Sequence, residues 1–155
     1  MGHKQSSARP VEKVGLKHRV AVIGSSQGGI AALEIASGDE QRVFDVPNDL
    51  KFKAAVAYYP LCSVAKEALS IPTLIMIGEL DDWTPANDCD MWMKARNGSG
   101  ASVKLIIYPG AYHAFDEPAL ATGRTSFGHW LKYEPNAAES SVQEMHQFLS
   151  AKLSY

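Results

Sequence analysis

The chain has 155 residues, enough for one domain around one core. Its apolar fraction of 46% and charged fraction of 21% are those of an ordinary globular protein, and a net charge of −2 excludes a basic field that would draw nucleic acid. No apolar run reaches the ~20 residues that span a bilayer, and no pattern of charged start, apolar stretch and small-residue cleavage site marks a signal peptide.

Residues 1–13 are polar and are expected to form a flexible N-terminal segment, followed by a single domain over 14–155. Met1-Gly2 with Ser6 fits the loose myristoylation pattern, but a frayed start is the favoured reading. The chain is expected to be soluble, either cytoplasmic or exported with its signal segment absent. Arg19–Ile23 is a short β-branched run ending at Gly24, as in a strand buried on both faces. Ile30–Ala36 predicts a helix that stops near Gly38. Lys53–Tyr59, closed by Pro60, and Thr73–Ile77, ending at Gly78, predict two further strands. Thr84-Pro85 predicts an N-cap with proline at the first helical position, opening a helix to Arg96 that Asn97-Gly98 ends. Val103–Tyr108 predicts a fourth strand, closed by Pro109-Gly110. In the final helix, Asn136 and Glu139 have capping-box spacing, and Val142, Met145, Leu149 and Leu153 share one face. Alternating strands and helices imply a three-layer α/β/α sandwich on a short, mostly parallel sheet with right-handed crossovers.

Gly24-Ser25-Ser26-Gln27-Gly28 is a G-x-S-x-G sequence placed between a buried strand and a helix. That context suits a nucleophile elbow. The turn is so sharp that the residues two before and two after the serine must be small, a demand that Gly24 and Gly28 meet. Gly29 lets the helix approach the sheet. The Ser26 hydroxyl is then lifted out at a helix N-terminus, where the Gln27 backbone N–H can face a developing oxyanion. A serine hydroxyl needs a base, and His113, just after the fourth strand, is the candidate. A histidine base needs a carboxylate to orient it. Asp81 and its neighbour Asp82 both follow the third strand. The chain order Ser, Asp, His is that of α/β-hydrolases, and all three lie past the carboxyl ends of strands.

Four segments together resemble the dienelactone hydrolase family: Val20–Gly29, Gly78–Pro85, Tyr108–Phe115, and Gly128–Tyr133 leading into the last helix. The resemblance runs from about residue 14 to 153 and covers the C-terminal part of the family fold. It implies Ser26 as nucleophile, Asp81 as acid and His113 as base. It favours Asp81 over Asp82, which would instead order the loop. Founding members carry cysteine at the nucleophile, and Ser26 here favours cleavage of carboxylic esters or lactones through an acyl-enzyme, without cofactor or metal. Tyr58, Tyr59, Trp83 and Tyr112 lie in or beside strand-end loops and are candidates for the substrate pocket, with packing as the alternative.

His3, His18, His129 and His146 have no partner at useful spacing and read as surface or packing residues. Cys62 follows the second strand and Cys89 lies in the helix after the third. If those strands are neighbours, the two come within disulfide reach, and a bridge would suggest an exported origin. Only 18 residues precede Arg19, too few for the strands and the second oxyanion loop that usually come before an elbow. The edge along Val20–Ile23 is therefore expected to be covered by a second copy of the chain, making a homo-oligomer, or by an N-terminal fragment. A non-catalytic remnant serving as an interaction module is the alternative function. A dinucleotide-binding oxidoreductase is a third, on the glycines from Gly24 to Gly29 and on Asp45. The absence of any Tyr-x-x-x-Lys pair counts against it.

Overall fold

The structure is a computed structural model and describes residues 19–39 and 51–154. The N-terminal segment with Gly2 and His3, then His18, and the candidate ribose contact Asp45 lie outside the described residues. Four strands form one sheet in chain order: β1 (Val20–Ser25), β2 (Phe52–Tyr58), β3 (Thr73–Gly78) and β4 (Val103–Tyr108). Every neighbouring pair is parallel. β2 and β3 are central, and their near-continuous apolar runs are buried: Ala54 to Ala57 and Leu74 to Ile77 have no exposed surface. A parallel strand covered on both faces requires such a run. β1 and β4 are the edges, and no described strand pairs with the outer side of β1.

Among the described residues three α-helices cover the sheet: α1 (Gln27–Glu34), α2 (Ala86–Arg96) and α3 (Pro135–Leu153). With strands laid down in order, right-handed crossovers place α1 and α2 on one face and leave the other to α3. On that second face Tyr58 donates its hydroxyl to the Ser141 carbonyl at 3.4 Å and meets the Met145 sulfur at 3.9 Å. Ala137, Ala138 and Ser141 are the buried residues of α3, and small side chains there let the helix sit close to the strands. Val142, expected on the packed face, is 46% exposed, because the buried stripe runs one position earlier through Ser141 to Met145 and Leu149.

The helix ends differ from the sequence expectation in physical detail. α3 is capped by Glu134, whose carboxylate accepts from the Asn136 N–H, so Asn136 is the donor and not the cap. Glu139 does not complete a capping box; it accepts from Gln143. α1 begins three residues before Ile30 and ends in a wider π-type turn, Ile35–Asp39, in which Gly38 takes a φ of 88°. α2 stops as expected, at Asn97 in the left-handed region. Thr84 does not cap α2, since Pro85 stands at the cap and the threonine hydroxyl is used elsewhere.

A short antiparallel hairpin, β5 (Arg124–Ser126) and β6 (His129–Leu131), lies between β4 and α3 and was not expected. Its two-residue turn, Phe127-Gly128, has positive φ at both positions, as a tight hairpin turn requires, but carries phenylalanine where asparagine or glycine is usual. Cys62 and Cys89 form a disulfide with a Cα separation of 4.9 Å, tying the loop after β2 to α2. Among the described residues no helix is long and apolar enough to cross a membrane.

Candidate active site

The strand-to-helix turn after β1 is built by close backbone contact. A Cβ on Gly24 would stand 1.9 Å from the Gly28 carbonyl oxygen, and one on Gly29 would stand 2.8 Å from the Tyr58 carbonyl oxygen. A Cβ on Gly28 meets nothing within 4 Å. The demand for smallness therefore falls on Gly24 and Gly29. Gly28 is needed only as the backbone that Gly24 touches, which corrects the expectation for that residue. Ser26 itself sits at φ 54°, ψ −116°, a strained conformation for a side-chain-bearing residue, held by its N–H to the Tyr58 carbonyl at 2.9 Å. Gln27, the first residue of α1, has its backbone N–H at the positive end of the helix.

His113 lies in the loop after β4, buried at 3% exposure. Its Nε2 is 3.0 Å from Ser26 Oγ, and its Nδ1 is 2.8 Å from Asp81 Oδ2. Asp81 is buried too, and its other oxygen accepts the backbone N–H groups of Trp83 at 3.0 Å and Thr84 at 2.9 Å. The Thr84 hydroxyl lies 3.0 Å from Asp81 Oδ2, 3.2 Å from His113 Nδ1 and 3.1 Å from the Tyr59 carbonyl. This threonine is a member of the site that sequence reasoning assigned to a helix cap. The signal was present in its spacing, three residues after a loop aspartate, which is the geometry of a carboxylate folding back on its own turn. Asp82 points away: exposed, it accepts from the Trp130 N–H at 3.3 Å and faces His129 Nδ1 at 3.5 Å.

Beside the serine opens a groove of about 530 Å³ lined by Ser26, Gln27, Ile30, Leu61, Trp83 and Phe127 among others. Of the aromatic residues expected in the pocket, Trp83 lines this groove. Tyr59 and Tyr112 do not. Tyr59 is buried, with its ring edge-on to His113 at 4.6 Å and its hydroxyl donating to Asp116 at 2.8 Å, so it packs behind the histidine. Tyr58 packs under α3. His129 is not without a partner, since its ring stacks on Trp83 at 4.9 Å. His146 is exposed on α3. Among the described residues no group of three His, Cys, Asp or Glu side chains is placed to hold a metal ion.

The buried tyrosines carry a consequence for pH. Burial first, and then the charge of Asp116, raise the Tyr59 phenol far above its ordinary value of 10.0. Burial, followed by Glu144, pushes Tyr108 up to about 12. Burial also raises Tyr58. In the unfolded chain all three lose their protons near pH 10, while the folded chain keeps them, so the unfolded state binds fewer protons above that pH. Stability is expected to be unaffected by these groups below about pH 10 and to fall as pH rises from 10 through 12. Urea midpoints measured across this range should drop steeply, and Tyr59→Phe should flatten the drop.

The family model described as Dienelactone hydrolase family matches residues 5–153. The chain belongs to that family. A solved structure from Klebsiella pneumoniae subsp. pneumoniae MGH 78578, assigned as a dienelactone hydrolase, is similar with a TM-score of 0.64 and 23% identity, covering 89% of this chain and 53% of that one. Thermogutta terrifontis esterase 2, phosphorylated by paraoxon, is similar with a TM-score of 0.58 and 19% identity over 87% of this chain and 55% of its own. Porphyromonas gingivalis dipeptidyl peptidase 4 gives a TM-score of 0.62 and 16% identity, covering 88% of this chain and 20% of that one. At these identities the likeness is one of fold. A comparison with curated proteins returned no match. The chain spans about half the length of the first dienelactone-hydrolase structure it matches. The α/β sandwich with a parallel sheet is the fold that the sequence pattern implied.

Proposed function

We propose that this member of the dienelactone hydrolase family is a serine hydrolase that cleaves carboxylic esters or lactones. The observation that carries the reading is the continuous line Asp81–His113–Ser26, with contacts of 2.8 and 3.0 Å. In the reaction Ser26 Oγ bonds to the acyl carbon while its proton passes to His113 Nε2. The carbonyl oxygen becomes an oxyanion facing the Gln27 N–H. The bond from acyl carbon to alcohol oxygen then breaks, and His113 gives its proton to the departing oxygen. Water enters next, loses a proton to His113, and bonds to the acyl carbon. The bond to Ser26 breaks as the proton returns to Oγ, leaving free acid and resting enzyme. Asp81 holds the imidazole in the tautomer that accepts at Nε2.

The second reading is a chain that keeps the triad without turnover. The elbow supplies one oxyanion donor, the Gln27 N–H at the start of α1, and a full oxyanion hole needs a second. One lost donor costs on the order of 10²–10³ in rate. A fluorophosphonate probe separates the two readings. Treated and weighed intact, the protein is expected to gain one probe mass, and Ser26→Ala to gain none. No gain under conditions that label an ordinary esterase gives first place to the second reading.

A further inference from the structure

The hairpin turn is the least expected feature of the groove. Phe127 is 91% exposed and has a φ of 49°, in the left-handed region that bulky side chains avoid. Asparagine would satisfy the same turn without strain, and would not hold an aromatic ring in water. An exposed, strained aromatic residue stands at a cost to the fold, and such outliers collect where a ligand is held. The hairpin is fastened at its base. The Trp130 N–H is bonded to Asp82, Leu131 is bridged to His113, and the Trp130 ring lies against Gly123, where a Cβ would stand 2.2 Å from it. Its tip overhangs the groove, with the Phe127 ring 6.0 Å from Trp83 and tilted by 56°. Trp83 is fixed between the His129 ring at 4.9 Å and the His113 ring at 5.1 Å.

We propose that Phe127 and Trp83 form a clamp for an uncharged aromatic group in the alcohol part of the ester. The inference rests on the hydrolase reading of the triad and adds the substrate class. Three points carry it. None of the described residues lining the groove is charged, so nothing there compensates a desolvated carboxylate or ammonium. The Phe127 ring is open to solvent and Trp83, stacked on one side by His129, is half-buried, so an aromatic group joins the pair from the groove side by stacking on Phe127 and meeting Trp83 edge-on. The side is set by proton transfer. The departing oxygen must lie within reach of His113 Nε2, and the groove wall packed on that imidazole is Trp83, with Phe127 next to it. Ile30 and Leu61 complete the groove lining and are assigned the acyl part.

The test compares esters that differ on one side only. Benzyl acetate against ethyl acetate reads the alcohol side, and ethyl phenylacetate against ethyl acetate reads the acyl side. Phe127→Asn removes the ring and relieves the turn. The ratio of kcat/KM for benzyl over ethyl acetate is expected to fall about tenfold, with the acyl-side ratio unmoved and Tm equal or higher. Phe127→Leu, which keeps an apolar side chain, is expected to lose part of the preference. An unmoved alcohol-side ratio overturns the clamp. A fall confined to the acyl-side ratio overturns its assignment to the alcohol. A clear fall in Tm for Phe127→Asn shows that Phe127 serves the fold instead. A protein that cleaves none of the esters and leaves Ser26 unlabelled has a different signature, and removes the hydrolase reading itself.

Discussion

Asp81→Asn is expected to lower kcat/KM on a simple ester by about 10⁴-fold with little change in fold, while Asp82→Asn stays within about twofold of the parent. The reason lies in the hydrogen bonds of the carboxylate. Its Oδ1 accepts two backbone N–H groups, from Trp83 and Thr84. An asparagine must keep its carbonyl oxygen there, which turns its NH₂ toward His113 Nδ1. That nitrogen then becomes the acceptor, and the imidazole proton moves to Nε2. A protonated Nε2 cannot take the proton of Ser26. The fold is spared because the amide fills the same space and retains both backbone contacts. Asp82 touches the hairpin and His129, and no reacting atom. Ester hydrolysis beside circular dichroism checks the pair. A large loss in Asp82→Asn with none in Asp81→Asn would reassign the acid.

Gly24→Ala is expected to destabilise the protein by roughly 3 kcal/mol or more and to abolish labelling of Ser26. The added methyl would meet the Gly28 carbonyl at 1.9 Å and the Gly29 nitrogen at 3.0 Å, both backbone atoms. No rotamer can move out of the way, so β1 and α1 must separate, and the turn that presents Ser26 opens with them. Gly28→Ala is the contrasting case. Its methyl enters open space near the start of a helix, where alanine is favoured over glycine by about 0.5–1 kcal/mol. Chemical denaturation of both variants should move in opposite directions. Equal destabilisation would mean that the elbow tolerates no side chain at either glycine.

Apolar segments were legible in the sequence, β2 and β3 because burial on both faces leaves few alternatives, and the half-exposed edge strand β4 because Pro109-Gly110 closes its β-branched run. β2, β3 and β4 fall within a residue or so of their expected bounds. The chain order of Ser26, Asp81 and His113 was legible because each follows a strand, and a parallel sheet delivers its strand ends to one rim. What was hidden depends on contacts distant in sequence. Thr84 looks like a cap until Asp81 folds back onto it. Val142 and Ser141 are adjacent, and only the sheet decides which one is buried. The hairpin was hidden because Phe127-Gly128 lacks the usual turn residues and its strands have three residues each, too short for an alternating pattern to show. Tyr59 and Tyr112 were both assigned to the pocket because they stand at strand ends, but a strand end fixes where a residue lies and not which way its side chain points.

The strand order gives the serine an unusual dependence on the rest of the molecule. Ser26 leaves the first strand of the sheet and its base leaves the last, 87 positions later. The loops that carry them converge over the carboxyl rim of the sheet, and their contact depends on how β2 and β3 are placed between them. A slip of any strand, or a cut in any crossover that lets a strand drift, lengthens that one hydrogen bond. On the hydrolase reading, labelling of Ser26 in variants that keep Asp81 and His113 therefore gauges tertiary order across the described sheet, and ranks such variants by integrity before any substrate is known.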